Sequence, residues 1–591
     1  MAPSKHNEAE KRTVKSMPIS HASRRISGLR KTLPALIFAN TLALAGIAHA
    51  GDVSAVANHV LSAHVPAAVA SGQAVRLAPM ATAQHLKLAL NLPLRNEAEL
   101  DGLLQQISDP QSPNYHHYLS VEEFTSRFGP TQQDYNAVVA WAKSYGLTVG
   151  QSVSNRRLVD VEGSVDIINR ALHVQIGTYR HPTENRNFFA PDREPTLDLG
   201  VPLLKITGLT NINLPHTHAL HGTALQQSRA TEKASGSGPS GEYLPSDIRA
   251  AYYGSGSLTG AGQTVAIFSI DGYKTADLTL YYSKTGMKSS VPVKNVLVNG
   301  YSGVCDAGDG SGTSTCDDGE QILDIVNVIG MAPGLTQVLF YEGSSATDVL
   351  NKMATDNTAK VISNSWYYGS TGDDTDDPIY KQFAAQGQTY LNATGDDGAY
   401  NSSTFGPPAL DPNILQVGGT DLTTTKAGGA WSSETGWSGS SGGYYKPAGY
   451  SIPAYQQIAG VITSTNKGST TLRNDPDVAA EANFDNPTVS NGSFETGYGG
   501  TSFAAPRWAG FLALANQQSV AAGKGTLGFI NTKLYNLGVG SSYKSQFHDI
   551  TSGSNKPDEG SGAGYKAVAG FDLVTGWGSP NGAALINALT Q

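Results

Sequence analysis

Ser502 stands in Gly499-Gly500-Thr501-Ser502-Phe503-Ala504-Ala505-Pro506, just ahead of the apolar run Trp508 to Ala515. Two glycines permit a tight turn. The hydroxyl then sits at the mouth of a helix, where unpaired N–H groups and the positive dipole end favour a developing oxyanion. Gly-Thr-Ser is also an ordinary helix cap, so the octet alone leaves both readings open. Glu320 and Asp324 lie four residues apart in Glu320-Gln321-Ile322-Leu323-Asp324-Ile325, on one face of an otherwise apolar helix. Two carboxyls close together in poor solvent share protons, one of them to higher pH. A solvated acidic helix start, with Asp317 and Asp318 beside it, is the plainer alternative. Asp396 follows a strand in Gly395-Asp396-Asp397-Gly398-Ala399. A carboxylic acid there can donate to an oxyanion only while protonated; an Asp-rich turn is the plainer alternative.

Ser502 needs a base. All of the 14 histidines except His548 lie at or before His221, so the C-terminal two-thirds has almost no imidazole to offer. A carboxylate can replace imidazole if its pKa suits the working pH. Glu320 would take the Ser502 proton and Asp324 would orient Glu320. Such a base works below neutrality.

These groups require a scaffold that brings a helix start, a helix face and a strand end together. Thr264 to Asp271 is an apolar run after Gly260-Ala261-Gly262, as expected of a buried parallel strand. Further strands are expected at 336–341, 360–363, 389–393 and 414–417, with helices at 318–328, 346–354 and 378–385. Alternating strand and helix predicts a doubly wound α/β sheet, with the site at the carboxyl ends of its strands. Ahead of it, residues 51–220 read as a small α+β module: helices at 98–107, 121–128, 132–145 and 164–172, strands at 158–163 and 173–177. Residues 221–242 are polar and Gly/Ser-rich, which predicts a flexible linker open to cleavage. The basic start (Lys11, Arg12, Lys15, Arg24, Arg25, Arg30, Lys31), the apolar run Leu33 to Ile47 and Ala48-His49-Ala50 predict a signal peptide over residues 1–50. Its apolar run is short of a membrane span. The expectation is a protein exported to a periplasm or the medium, with no membrane contact after signal removal.

The net charge of −9 argues against a nucleic-acid partner. From residue 240 onward there are about 18 Lys/Arg against about 31 Asp/Glu, and the acidic self-repulsion falls where carboxylates are partly protonated. Cys305 and Cys316 are the only cysteines, too few for a thiolate metal site; a local disulfide or two free thiols remain. Nothing demands more than a monomer.

Asp109-Pro110-Gln111-Ser112-Pro113-Asn114-Tyr115-His116-His117-Tyr118-Leu119-Ser120 with Phe128-Gly129-Pro130-Thr131 resembles the activation domain of the sedolisin family, the serine-carboxyl peptidases typified by kumamolisin. The resemblance extends through Ala332-Pro333-Gly334, Ser365-Trp366, Val417-Gly418-Gly419-Thr420, Gly442-Gly443 and Pro476-Asp477-Val478 to nearly all of residues 95–591. It implies a subtilisin-like peptidase domain at 243–591, preceded by a propeptide that blocks the active site and is then removed. It also implies acid endopeptidase activity on proteins or peptides, with Glu320 and Asp324 as the carboxylate pair, Asp396 at the oxyanion and Ser502 as nucleophile. One structural calcium ion is implied as well, held by the carboxylates of Asp549 and Asp572 and the backbone oxygens of Ile550, Val568 and Gly570, a donor set of the hard type calcium prefers. Two positions depart from the family: Val568 stands where a glycine is usual, and Ser269 where several members carry a glutamate beside the catalytic carboxylates, with Asp271 two residues on. A rival reading is a calcium-dependent surface-binding protein on a relict peptidase fold; the four filled catalytic positions speak against it.

Overall fold

Alternate residues of the strand Thr264–Ser269 (β1) enter two different apolar layers. Val265 and Ile267 pack with Trp508 and Ile325 on one side, and Ala266 and Phe268 with Met353, Phe383 and Tyr390 on the other. Successive side chains of a strand point to opposite faces, so a strand apolar at every position is buried on both. Seven more strands join β1: β2 (Val293–Leu297), β3 (Gln337–Glu342), β4 (Val361–Asn364), β5 (Thr389–Ala393), β6 (Leu415–Thr424), β7 (Trp431–Gly436) and β8 (Val478–Glu481). Their order is β2-β3-β1-β4-β5-β6-β7, with β8 also paired to β6. Every pairing is parallel except β6 with β7. The doubly wound α/β fold is therefore present, with β6 longer than expected and an antiparallel edge that the Thr- and Ser-rich sequence did not announce.

The computed structural model describes residues 59–591 except 232–234, 306–316, 370–373, 401–407, 409, 447–448 and 557–562. The signal-peptide reading lies outside these residues. Among the described residues no helix is long and apolar enough to cross a membrane. Cys305 is disulfide-bonded.

Two helices on one face of the sheet position the site. Helix α1 (Gly319–Met331) is buried along nearly its whole length. Its start is pinned by Asp318, whose carboxylate accepts the N–H groups of Lys274 and Asn491 at 2.8 and 3.1 Å. Helix α2 (Thr501–Ala521) packs against α1 and against β4, β5, β6 and β8. The two helices touch closely at Gly510, where an added Cβ would lie 2.6 Å from Met331 Cβ and 2.9 Å from the Val328 carbonyl oxygen. Arg507, buried in α2, donates to Asn327 Oδ1 of α1 at 2.9 Å, to the Glu481 carbonyl of β8 at 2.5 Å and to Asn486 Oδ1 at 2.6 Å. It rivets α2 to both neighbours.

The N-terminal module is α+β as expected. Strands Thr148–Val149, Leu158–Ser164, His85–Asn91 and Lys205–Thr207 form an antiparallel sheet, and Tyr135, Val138, Ile168 and Leu172 from two helices fill its core. It docks on the sheet's outer layer of helices. Tyr118 Oη donates to the Leu527 carbonyl at 2.6 Å, Leu119 N to the Ala385 carbonyl at 2.9 Å, and Lys381 pairs with Asp101 at 2.8 Å. Buried Asn155 donates to Asn351 Oδ1 and Gln382 Oε1 at 2.6 and 2.9 Å. The stretch expected to be a free linker is partly built. It contains a helix over Ala224–Thr231, and the Ser237 N–H and hydroxyl both donate to Asp247 at 2.8 and 2.9 Å. Polar side chains that cannot make a core have found hydrogen-bond partners instead.

Candidate active site

Ser502 is the second residue of α2 and is fully buried. The turn before it depends on Gly500, whose φ of 142° is outside the range of ordinary residues. A Cβ there would lie 2.4 Å from Asp396 Oδ2 and 2.9 Å from the His218 carbonyl oxygen. Thr501 fastens the helix start to the loop after β5: its N–H and its hydroxyl donate to Asp396 Oδ1 at 2.7 and 2.9 Å, and Gly395 N donates to the Thr501 hydroxyl at 3.0 Å. Asp396 Oδ2 is shielded from solvent and has no partner.

Glu320 and Asp324 project from α1 toward the same point and are 4% and 1% exposed. Burial raises the pKa of Glu320 above the usual carboxylate range. The neighbouring Ser502 hydroxyl, the Ala219 N–H and the Thr217 hydroxyl pull the other way. Ser502 is thus close enough to act on Glu320, although neither Ser502 Oγ nor Glu320 Oε1 completes a hydrogen bond of normal geometry. Asp324 is raised further, by burial first and then by Glu320 beside it. Ser365 Oγ donates to Asp324 Oδ1 at 2.7 Å and lies 3.4 Å from the Ser502 carbonyl oxygen. It bridges the carboxylate pair to the backbone of Ser502. Asp396 is likewise raised well above the usual range, chiefly by burial and with Glu320 and Asp397 adding to it, while the two hydrogen bonds from Thr501 pull the other way. The four residues expected to act together are therefore gathered at the helix starts and at the carboxyl end of β5.

The cleft is filled by the chain itself. His216–Thr217 pairs antiparallel with Trp366–Tyr367, and Leu220–His221 pairs antiparallel with Tyr498 and Gly499. Between them Glu320 Oε2 accepts the Ala219 N–H at 3.1 Å. The His218 ring is buried edge-on to Tyr367 at 5.9 Å, and burial pushes its pKa down to about 3. It sits in the cleft as a neutral side chain of the threaded segment. His548 stacks on Trp431 at 4.1 Å and is local to that contact. No pattern in the sequence announced Thr217, His218 and Ala219, because their role is set by pairing with strands far along the chain. Ser365 and Thr501 lie in motifs already noted, but their hydrogen bonds could not be read from spacing.

Ser269, at the end of β1, donates its hydroxyl to the Asp271 carbonyl at 2.6 Å, and its register partner on β3 is Glu342. Glu342 is fully buried, and burial raises its pKa to about 7. A carboxyl is thus present one strand away from the position where Ser269 departs from the family.

Asp549 and Asp572 are drawn together by one loop. Gly570 N donates to Asp549 Oδ1 and Val568 N to Asp572 Oδ2, both at 2.9 Å, and Tyr543 Oη donates to Asp549 Oδ1 at 3.0 Å. Asp572 is fully buried, with its pKa raised to about 7 by that burial. Asp572 Oδ1 also accepts the N–H groups of Val574 and Thr575 at 2.9 and 2.8 Å, so both Asp572 oxygens have backbone donors. The two carboxylates remain oxygen donors of the type a hard cation prefers. A second acidic cluster, Asp421, Glu481 and Asp485, has one oxygen of each within 4.8 Å of the others. Both Glu481 oxygens there accept backbone N–H groups, from Leu422 and Asn483, and the Arg507 guanidinium already supplies a positive charge. The Arg507 charge is what sets that cluster apart from Asp549 and Asp572 as a cation site.

Comparison with known proteins agrees with this geometry. The family "Pro-kumamolisin, activation domain" matches residues 72–204 and the "Subtilase family" matches residues 305–526. Sedolisin from Pseudomonas sp. (strain 101) is 30% identical over 558 residues, covering 87% of this chain and 89% of its own. Kumamolisin from Bacillus sp. (strain MN-32) is 29% identical over 542 residues, covering 88% and 94%. A solved structure of Pseudomonas sedolisin, a serine-carboxyl proteinase complexed with two molecules of pseudo-iodotyrostatin, is 30% identical, covers 60% of this chain and 98% of its own, and has a TM-score of 0.48. The chain belongs to the sedolisin family: it is a serine-type peptidase with a subtilisin-like fold and an N-terminal activation domain.

Proposed function

We propose that this chain is the exported precursor of a serine-carboxyl endopeptidase that works at acidic pH and removes its own propeptide. The observation that carries this reading is the convergence of Ser502, Glu320, Asp324 and Asp396 on one extended segment lying in the cleft. Ser502 Oγ attacks a peptide carbonyl while Glu320 takes its proton, and Asp324, held by Ser365, orients and tunes Glu320. The oxyanion receives a hydrogen bond from protonated Asp396 and from the N–H of Ser502 in the first turn of α2, where helix N–H groups have no intrahelical partner. Glu320 then protonates the leaving amine, and water resolves the acyl-enzyme along the reverse path. Backbone pairing on both sides of the reacting bond, to Trp366–Tyr367 and to Tyr498–Gly499, supports cleavage within a chain rather than at its end.

In this reading residues 51–220 are the propeptide, 221–242 the linker and 243–591 the peptidase domain of the mature enzyme, with processing beginning in the segment that lies in the cleft. Asp549 and Asp572, with the carbonyls of Ile550, Val568 and Gly570, hold one calcium ion, which supplies positive charge to two carboxylates that have no ion pair among the described residues and braces the loop. Replacing Ser502 with Ala tests the whole reading: the purified variant should neither shorten itself nor digest denatured protein near pH about 4. Normal self-processing by that variant alone would defeat it.

A further inference from the structure

The segment that fills the cleft has a fixed register, and the register singles out one peptide bond. On one side, Thr217 pairs with Trp366 and His218 N donates to the Ser365 carbonyl at 3.3 Å. On the other, Leu220 pairs with Gly499, His221 with Tyr498, and Gly222 N donates to the Gly497 carbonyl at 2.9 Å. One bond lies between these two ladders, His218–Ala219. Its carbonyl oxygen faces the spot at Gly500 that Asp396 Oδ2 also faces, and its nitrogen donates to Glu320 Oε2 at 3.1 Å. The bond before it has its N–H committed to Ser365, and the bond after it enters the Gly499 ladder. Neither reaches both carboxyl groups.

We infer that the first bond this precursor cuts is its own His218–Ala219 peptide, and that the cut occurs within one molecule. The inference rests on the catalytic reading above, of which cutting within one molecule is a part, and adds the scissile bond. The Ser502 Oγ–carbon bond to His218 forms as the Oγ proton passes to Glu320. The His218–Ala219 carbon–nitrogen bond then breaks as that proton passes to the Ala219 nitrogen. Water attacks the ester, gives one proton to Glu320 and leaves a His218 carboxyl group, and Ser502 recovers its hydrogen from Glu320. Both ends of the segment are tethered to the same peptidase body. Tyr118, Asn155 and Lys381 dock the module before it, and Ser237 and Leu244, both bound to Asp247, hold the chain after it. The reacting groups are therefore already together, and no encounter between molecules is needed.

The test uses the full chain. Purified precursor is moved to pH about 4 at two concentrations tenfold apart, quenched at intervals, and its new N-termini are read by mass spectrometry, with Ser502→Ala treated alongside. The first new N-terminus should be Ala219-Leu220-His221-Gly222, with the same rate constant at both concentrations and no cut in Ser502→Ala. Replacing Ala219 with Pro, which removes the N–H held by Glu320, should slow that cut by more than about tenfold. A different first N-terminus in a chain that Ser502→Ala leaves whole would overturn the assigned bond and spare the catalytic reading. A rate that scales with concentration would overturn the intramolecular cut. Equal cutting of Ser502→Ala, or none of the wild type, would overturn both.

Discussion

Glu320 and Asp324 illustrate what burial does to neighbouring acids. Both carboxyls are raised by loss of water, and Glu320 raises Asp324 further, so the pair behaves as one unit that gives up its protons in steps. Part of that burial comes from Ala219, whose N–H lies on Glu320. With the segment gone, two opposing changes meet at Glu320: water returns, which lowers its pKa, and the Ala219 N–H and Thr217 hydroxyl leave, which raises it. Asp396 must keep its proton to donate to the oxyanion. The proposed working window therefore opens where the pair first ionises and closes where Asp396 does. Glu320→Gln should lower kcat by about 10²–10⁴-fold with little change in KM, because it removes the base and keeps the shape. Initial rates on a quenched peptide check this, in enzyme processed by added wild type. The four residues proposed as catalytic stood out in the sequence because each lies in its own local pattern: a spacing of four, a strand end, a Gly-Gly turn into a helix. Ser365 was not legible as a partner of Asp324, since the hydrogen bond joins residues 41 apart through folding alone.

At the scale of elements, the site exists because α1 and α2 lie almost in contact. Gly510→Ala would place a Cβ 2.6 Å from Met331 Cβ and 2.9 Å from a backbone carbonyl that cannot move alone. The expected cost is about 1–3 kcal/mol of stability, read from urea unfolding of the Ser502→Ala chain. An unchanged unfolding midpoint would mean that the helices part without penalty. The strands β1, β3, β4 and β5 were legible because each contains the short apolar run expected of a strand buried on both faces. The antiparallel pair Asn486–Ser490 and Ser493–Gly499 was not, because its Thr, Ser and Gly residues give no alternation strong enough to read. Residues 216–222 were assigned to the end of one module and the start of a linker on composition. Composition carries no information about a segment whose structure comes from pairing with Trp366–Tyr367 and Tyr498–Gly499.

The whole molecule carries many buried acids, and their direction of shift sets how stability responds to pH. Glu242 and Glu342 are both buried and raised to about 7, against about 4.3 for glutamate in an unfolded chain. Folding therefore favours their protonated forms. The stability they contribute is complete below about pH 4.3 and is lost as pH rises through about 7, by at most on the order of 3 kcal/mol each. The Ser502→Ala precursor should melt at a higher temperature near pH 4 than near pH 8, by calorimetry in buffers of equal ionic strength; the reverse order would contradict these directions. Chelation adds a second expectation. If Asp549 and Asp572 hold calcium, a chelator lowers the melting temperature at a given pH and added calcium restores it, with about 4 kcal/mol at stake when calcium is 1,000-fold above its Kd. Asp572→Asn should be nearly insensitive to both additions.

The proposal stands on carboxyl groups doing the proton transfer for Ser502, and the pH dependence of kcat/KM for the processed enzyme tests that most directly. The account predicts a bell confined below neutrality, falling on its alkaline side as Asp396 loses its proton, with that alkaline fall abolished and the maximum lowered in Asp396→Asn. Activity that climbs through neutrality into the alkaline range, as a neutral imidazole base would give, would contradict it.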